Sequence, residues 1–285
     1  MTMTRYSAGP LVSPEDVEAL LVRPAIEMSV FGRVSTLVLT TAPAVRFPVV
    51  RQDPSADWVE EGAEIPISEM DLAEVVAAPA KLAGLTIATS ELLDDSVDGS
   101  AATILGQGLA RDLSRKIDQA AFTGMPAPAP AGLATLTGYA AVTAPADWEN
   151  LDPFQDAIGA VAAESATITA WVLNPLDVTA MAKVKTSPGS NVPLLSADPT
   201  SPTGDAILGI PVFTTPALPA GTAWGLDRSR TMLVVRQEAS IDVDSSILFT
   251  SDRVAVRGKM RAAFGFVHLR LGEISRAVIG RRLRA

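Results

Sequence analysis

The sequence predicts an α+β fold, on three observations. One long amphipathic helix is marked by Leu105, Leu109, Leu113, Ile117 and Ala121, which recur every four residues and form one apolar stripe. A middle region mixes short helices, opened by Asp152-Pro153 and Asn174-Pro175, with a buried strand at Trp171–Leu173. Residues 238–271 then read as mainly β. A hairpin, a long helix, a mixed region and a β-rich return, in that order, make an α+β chain.

Residues 1–40 read as an extended arm with one short helix. Ser13 is its cap, Pro14 its first position, and Glu15 and Asp16 occupy its first turn. Arg33 to Leu39 alternates weakly, as a strand does. Residues 45–90 read as a long β-hairpin with extended pieces at Phe47–Val50, Glu69–Val76 and Lys81–Thr89. The long helix covers 98–122, with Asp98 or Ser100 as cap and Gly124 as stop.

Residues 125–150 are rich in Pro and Ala and read as a crossing loop. Helices are expected from Asp152 to about Glu164 and from Pro175 to about Val184. The Ser, Pro, Thr and Gly of 186–205 predict a mobile loop. Ile207–Phe213 reads as a strand entering a turn, and Trp224–Asp227 and Thr231–Val235 supply further strands.

Charge is distributed unevenly. The chain carries −9 overall, but residues 47–80 hold eight carboxylates (among them Asp57, Glu60, Glu61, Glu64 and Glu69) against Arg51 alone, a net −7. Residues 253–285 invert this, with nine bases against Glu273, a net +8. Arg253, Arg257, Lys259 and Arg261 open that run, and Arg111, Arg115 and Lys116 sit in the second half of the long helix. Opposite patches of this kind steer encounter and fix register, within a subunit or between neighbours. The basic tail could also touch nucleic acid, but an acidic chain is a poor general binder of it.

Composition excludes several function classes. Hydrophobic residues make up 48% of 285, charged residues only 19%, and the mean hydropathy is +0.27. No stretch nears the roughly 20 apolar residues of a membrane span, so the excess apolar surface is expected to be buried against other subunits. Without cysteine there are no disulfides, thiolate nucleophiles or cysteine metal sites. The single histidine, His268, lies in a strand-like run and cannot build an ordinary zinc site.

Further motifs fail on spacing. Gly106-x-Gly108 lacks a third glycine and sits inside a helix. Asp242-Val-Asp244 resembles the start of a calcium loop, but Arg253 stands where the bidentate Glu belongs. Glu60-Glu61 and Asp94-Asp95 are adjacent carboxylates that face opposite ways on an extended chain, so neither forms an acid/base dyad. No catalytic, metal or cofactor residues are assigned, and no enzyme activity is expected. Met1–Pro10 lacks the pattern of a secretory leader, which predicts synthesis and use in a cytoplasm.

One set of segments carries a family resemblance. In order they are Ala56-Asp-Trp-Val-Glu-Glu-Gly62, Pro79-Ala-Lys-Leu-Ala83, Thr89-Ser-Glu-Leu-Leu-Asp-Asp-Ser96 and Lys116-Ile-Asp-Gln-Ala-Ala-Phe-Thr-Gly124. Trp171-Val-Leu-Asn-Pro175, Leu208-Gly-Ile-Pro-Val212 and the β-rich Arg253–Leu271 follow. Over about residues 45–272 their order and spacing resemble the Hong Kong 97-type major capsid protein of tailed bacteriophages.

The resemblance implies a division of the chain. Residues 1–44 would be an N-terminal arm and 45–80 an extended loop reaching over a neighbour. Residues 81–135 with 236–285 would form a peripheral domain with a spine helix and basic C-terminal tail, and 136–235 an axial domain. It implies a homo-oligomer of pentamers and hexamers in a virion capsid, assembled in the bacterial host cytoplasm and enclosing double-stranded DNA without reading its sequence. It also implies a portal protein as partner and no membrane. The acidic loop residues Asp57, Trp58, Glu60, Glu61, Glu64 and Glu69 become inter-subunit contacts. Arg111, Arg115, Lys116, Arg253, Arg257, Lys259 and Arg261 become their candidate basic partners.

Two departures matter. Some relatives cross-link through a lysine in the extended loop, whereas residues 47–80 here contain none, which predicts no covalent link there. Only about 44 residues precede the match, so scaffolding is expected from a separate protein or not at all, and a decoration protein is a further expected partner. The competing readings are an encapsulin-like compartment shell, a soluble hydrolase and a monomeric binding module.

Overall fold

The computed structural model describes residues 23–52, 54–89, 91, 100–136, 139–144, 148, 150–163, 166–185, 206–244, 246, 249–267 and 274–281. Helices α1 (Arg23–Met28) and α2 (Val30–Val34) lead into strand β1 (Thr36–Thr40). Strands β2 (Val45–Gln52), β3 (Asp71–Ala77) and β4 (Ala80–Thr89) precede the long helix α3 (Ser100–Thr123). Next come β5 (Tyr139–Ala144), α4 (Asp152–Ala163), β6 (Ala170–Leu173), α5 (Pro175–Lys183), β7 (Ala206–Ile207), β8 (Ile210–Thr214) and β9 (Thr222–Leu226). Strands β10 (Thr231–Asp244), β11 (Arg253–Phe266) and β12 (Ile274–Arg281) follow.

Three sheets result. One has four strands in the order β1-β10-β11-β4, one has six in the order β5-β12-β9-β6-β8-β7, and β2 pairs with β3 alone. Helix α3 is 24 residues long, about 36 Å at 1.5 Å per residue. Its apolar stripe packs on the four-stranded sheet. Leu109, Leu113, Ile117 and Ala121 share one core with Val256, Met260, Ala262 and Phe264 of β11. Full burial of a Leu, Ile or Met side chain in such a core contributes roughly 1.5–3 kcal/mol. The helix ends at Gly124, whose φ of +67° suits a residue without a Cβ.

Strand periodicity fixes what lies on the other side. Because successive side chains point to opposite faces, the even-numbered β11 residues under α3 send Arg253, Arg257, Lys259 and Arg261 away from the helix. That outward face is covered at one end by the base of the β2–β3 hairpin, where Ala77, Val234 and Ala263 pack with Val45 and Phe47. Gly265 permits this docking, since a Cβ there would stand 2.8 Å from Phe47 Cε2.

Several elements differ from the sequence reading. Of residues 1–44, Arg23–Thr40 pack onto the folded unit: Phe31 is fully buried, with its ring edge-on to Phe122, Phe264 and Phe266, and β1 pairs in parallel with β10. Arg33 is helical because Ser29 caps α2, its Oγ accepting from the Gly32 N–H. The long hairpin expected over 45–90 closes at Ala77, and Lys81–Thr89 instead form the edge strand beside β11.

The crossing loop contains β5. Ile207–Phe213 is broken by a two-residue turn at Leu208 and Gly209, both with positive φ, which makes a tight hairpin. Strand β12, expected with the peripheral unit, pairs with β5 and β9 in the six-stranded sheet. The helix expected at 13–21, the loop at 186–205, Asp94-Asp95 and His268 lie outside the described residues.

The six-stranded sheet has its own core. Phe154 of α4 meets Trp171 of β6 edge-on and packs beside Trp148. Trp148 Nε1 donates to buried Asp177 at 3.0 Å, and the Gly221 N–H donates to its other oxygen at 2.7 Å. Asn174 caps α5 as expected, its side chain accepting from the Leu176 N–H at 2.9 Å.

Candidate inter-subunit surface

The acidic segment projects. Strands β2 and β3 carry it outward, and β2 alone spans about 25 Å at roughly 3.3 Å per residue. Residues 54–70 lie beyond both strands. The chain reverses at Glu61-Gly62, where the Ala63 N–H donates to the Glu60 carbonyl and Gly62 takes φ +84°. Asp57, Trp58, Glu60, Glu61, Glu64 and Glu69 are all exposed.

This acidic tip is also apolar. Trp58 is fully exposed, and Ile67 and Ile65 are 95% and 76% exposed. An indole and two isoleucines held in water at the end of a hairpin make an exposed apolar patch of the kind that marks an interaction surface. The apolar half of the tip escapes a charge count, and the exposure of Ile65 and Ile67 was not legible in the sequence.

The seven candidate cations fall into two groups. Arg253, Arg257, Lys259 and Arg261 share the outward face of β11. Arg111, Arg115 and Lys116 lie on the exposed flank of α3, on the opposite side of the sheet. A charge count along the chain cannot see this separation, because it arises from the two-residue period of β11 beneath the helix.

The β11 group is itself divided. Asp242 of β10 accepts from Arg257 (Nη2 at 2.7 Å, Nε at 3.2 Å) and from Lys259 Nζ at 3.1 Å, all at one oxygen. These bonds, Arg257 first, hold the Asp242 carboxyl below the usual carboxylate range. Arg261 has a different setting. It stands opposite Arg236 of β10 and opposite Lys81 of β4, so three cations form a row across the sheet. Beside that row, Leu85 and Ile87 of β4 are 65% and 51% exposed.

On the other side, an open pocket of about 540 Å³ is lined by Arg111, Arg115, Gln119 and Thr215, with Asp118 at its wall. Asp118 is buried. It accepts from Ser29 Oγ at 2.6 Å and from the N–H groups of Phe31 (3.0 Å) and Val30 (3.1 Å). Burial pushes its carboxyl above the usual range, and the hydrogen bonds partly offset this. It therefore ties the α2 segment to the long helix. Nothing in the charge pattern marks it, since it is one of two aspartates on a helix flank.

The model of the phage capsid family matches residues 9–270. The chain belongs to the phage capsid family. The family makes it a structural component of a phage capsid. The capsid polyprotein of Pseudomonas phage PAJU2 is 27% identical over an alignment covering 84% of this chain and 38% of the polyprotein, so the chain spans well under half of that relative.

Solved structures share the capsid fold. A protein of Mycobacterium phage Adephagia superposes with a TM-score of 0.72 at 19% identity, covering 90% of this chain and 91% of that one. The capsid of a native GTA particle gives 0.69 at 19% identity, covering 99% and 95%. Mycobacterium phage Bobi gives 0.72 at 20%, covering 90% and 91%. The fold is thus the Hong Kong 97-type capsid fold that the segment order resembles.

Proposed function

We propose that this capsid protein is the major subunit of an icosahedral head shell, assembling as pentamers and hexamers around double-stranded DNA in the host cytoplasm. Its role is architectural, with no catalytic step. A portal protein occupies one vertex. The observation that carries this reading is the projecting tip: an acidic and apolar surface presented to solvent on a hairpin anchored through Phe47 and Ala77.

In this reading residues 45–80 are the extended loop and lie on a neighbouring subunit. The peripheral unit is built from α3, β4, β10 and β11, and the axial unit from the six-stranded sheet with α4 and α5. The basic faces receive the acidic loop. Sedimentation velocity across a range of ionic strengths tests it. Large particles are expected at low salt, shifting toward small species as salt screens the charges beyond about 10 Å at 0.1 M. A single monomer boundary at every salt and protein concentration contradicts it.

A further inference from the structure

Two arginines of α3 line an open pocket with no carboxylate to meet them. We infer that residues 13–22, immediately before α1, fold back within the same subunit and fill this pocket, with their carboxylates on Arg111 and Arg115 and their apolar side chains on Met28 and Val30. The inference concerns the single subunit and goes beyond the shell reading.

Three observations carry it. First, the pocket holds positive charge that the described residues do not balance. Arg111 and Arg115 are one helical turn apart and exposed, and among the described residues neither has a carboxylate within ion-pair distance. The carboxylate in the wall, Asp118, accepts from Ser29 Oγ and from the Val30 and Phe31 N–H groups, so it is committed to α2. The pocket also has an apolar side, where Met28 is 46% exposed and Val30, Pro216 and Ala217 complete the lining.

Second, residues 13–22 have the complementary pattern. They hold Glu15, Asp16 and Glu18 and no base, a net −3. On the helix that this sequence predicts, Val17, Leu20 and Leu21 form one stripe, and Glu15 and Glu18 lie together along its edge. An apolar stripe edged with carboxylates matches an apolar wall edged with guanidinium groups.

Third, the segment is tethered within reach. The described structure begins at Arg23, and α1 lies on the α3 side of the four-stranded sheet, with Ala25 and Ile26 in the core beside Leu109, Leu113 and Ile117. Helix α1 has six residues, about 9 Å, and its last residue, Met28, lines the pocket. A helix turning back at Val22 would cover the same distance, about 9 Å, between Leu21 and Glu15, which brings Glu15 and Glu18 level with the pocket. Arg261 and Lys81 lie on the opposite face of the sheet, behind this path. With the pocket filled, Arg111 and Arg115 are withdrawn from the cations open to a neighbour.

Hydrogen exchange on the purified chain tests this, with the fold checked by circular dichroism. The variants are Arg111→Glu with Arg115→Glu, Glu15→Lys with Glu18→Lys, and the quadruple combining both. Amides of residues 13–22 should be protected in the unmodified subunit, at a level unchanged by dilution. Each pair should cut that protection about ten-fold, as for two ion pairs turned repulsive at a partly covered surface. The quadruple should regain about three-fold, short of full recovery because lysines near a helix N-terminus oppose its dipole. Should the arginine pair disturb the fold, glutamine at both positions removes the charge with less strain and should show a loss in the same direction. Amides exchanging as in a free peptide, protection indifferent to either pair, or a quadruple no better than the pairs overturns the inference. Protection that falls on dilution also overturns it, because the occupant is then a second copy. Absence of particles would count against the shell reading alone.

Discussion

Arg257 donates to Asp242 at 2.7 Å across β11 and β10, and Lys259 donates to the same oxygen at 3.1 Å. Two of the cations that a charge count offers to a neighbour are therefore partnered within the subunit. Their carboxylate has a lowered native pKa, so its contribution is present above the ordinary value of 3.8 and is lost as pH falls through the lower native value. Asp242→Asn should cost about 0.5–1 kcal/mol at pH 7, a modest figure because the pair is partly exposed. In urea melts the difference from the unmodified subunit should shrink below pH 3.8. A difference that persists unchanged in acid contradicts the pairing.

Asp118 behaves in the opposite sense. Its native pKa is raised above 3.8, so its contribution is full below that value and is lost as pH rises through the native one. The stability of the unmodified subunit relative to Asp118→Asn should therefore be greatest in acid and decline toward neutrality. Asp118→Ala should cost about 2–4 kcal/mol, because Ser29 Oγ and two buried N–H groups lose their acceptor. Equal melts for the alanine variant and the parent would remove Asp118 as the tie between α2 and α3.

Gly265→Ala should loosen the hairpin root. The added carbon would meet the Phe47 ring at 2.8 Å, and overpacking of this kind costs about 1–3 kcal/mol. Combining it with Phe47→Leu should restore part of the loss. Thermal melts of the three proteins check this, and an undiminished melting temperature for Gly265→Ala counts against the packing described.

Trp58→Ala should separate folding from assembly. The side chain is fully exposed, so subunit stability should change by less than about 0.5 kcal/mol. Assembly should weaken by about 2 kcal/mol per contact, as for a buried aromatic anchor. Light scattering and urea melts on one preparation give both numbers. A stable variant that assembles as well as the parent removes the indole from the interface.

Residues 47–80 contain no lysine, and the first beyond them, Lys81, is at the hairpin root. Particles boiled in denaturant should therefore run as a single chain on a gel. A ladder of subunit multiples would show covalent links that the loop cannot supply through lysine.

The fold was legible where the signal is local. The stripe Leu109, Leu113, Ile117 and Ala121 gave α3 to within two residues, and Asn174-Pro175 gave the start of α5, because caps and periodicity act over a few residues. Arg33 was misread as extended because its helix depends on Asp118, almost ninety residues away, whose oxygens take the Val30 and Phe31 N–H groups. Strand β5 hides among alanines because it is held by β12 across the chain. The acidity of the projecting segment was visible as charge. The division of the candidate cations was not, because it follows from the register of β11 with β10 and β4.

The central claim is that this subunit closes into a shell through contacts between copies. Negative-stain electron microscopy of the purified chain at low ionic strength tests it most directly. The account predicts closed, roughly spherical particles of uniform diameter built from five- and six-fold clusters. A field of separate small molecules, unchanged as protein concentration rises, would contradict it.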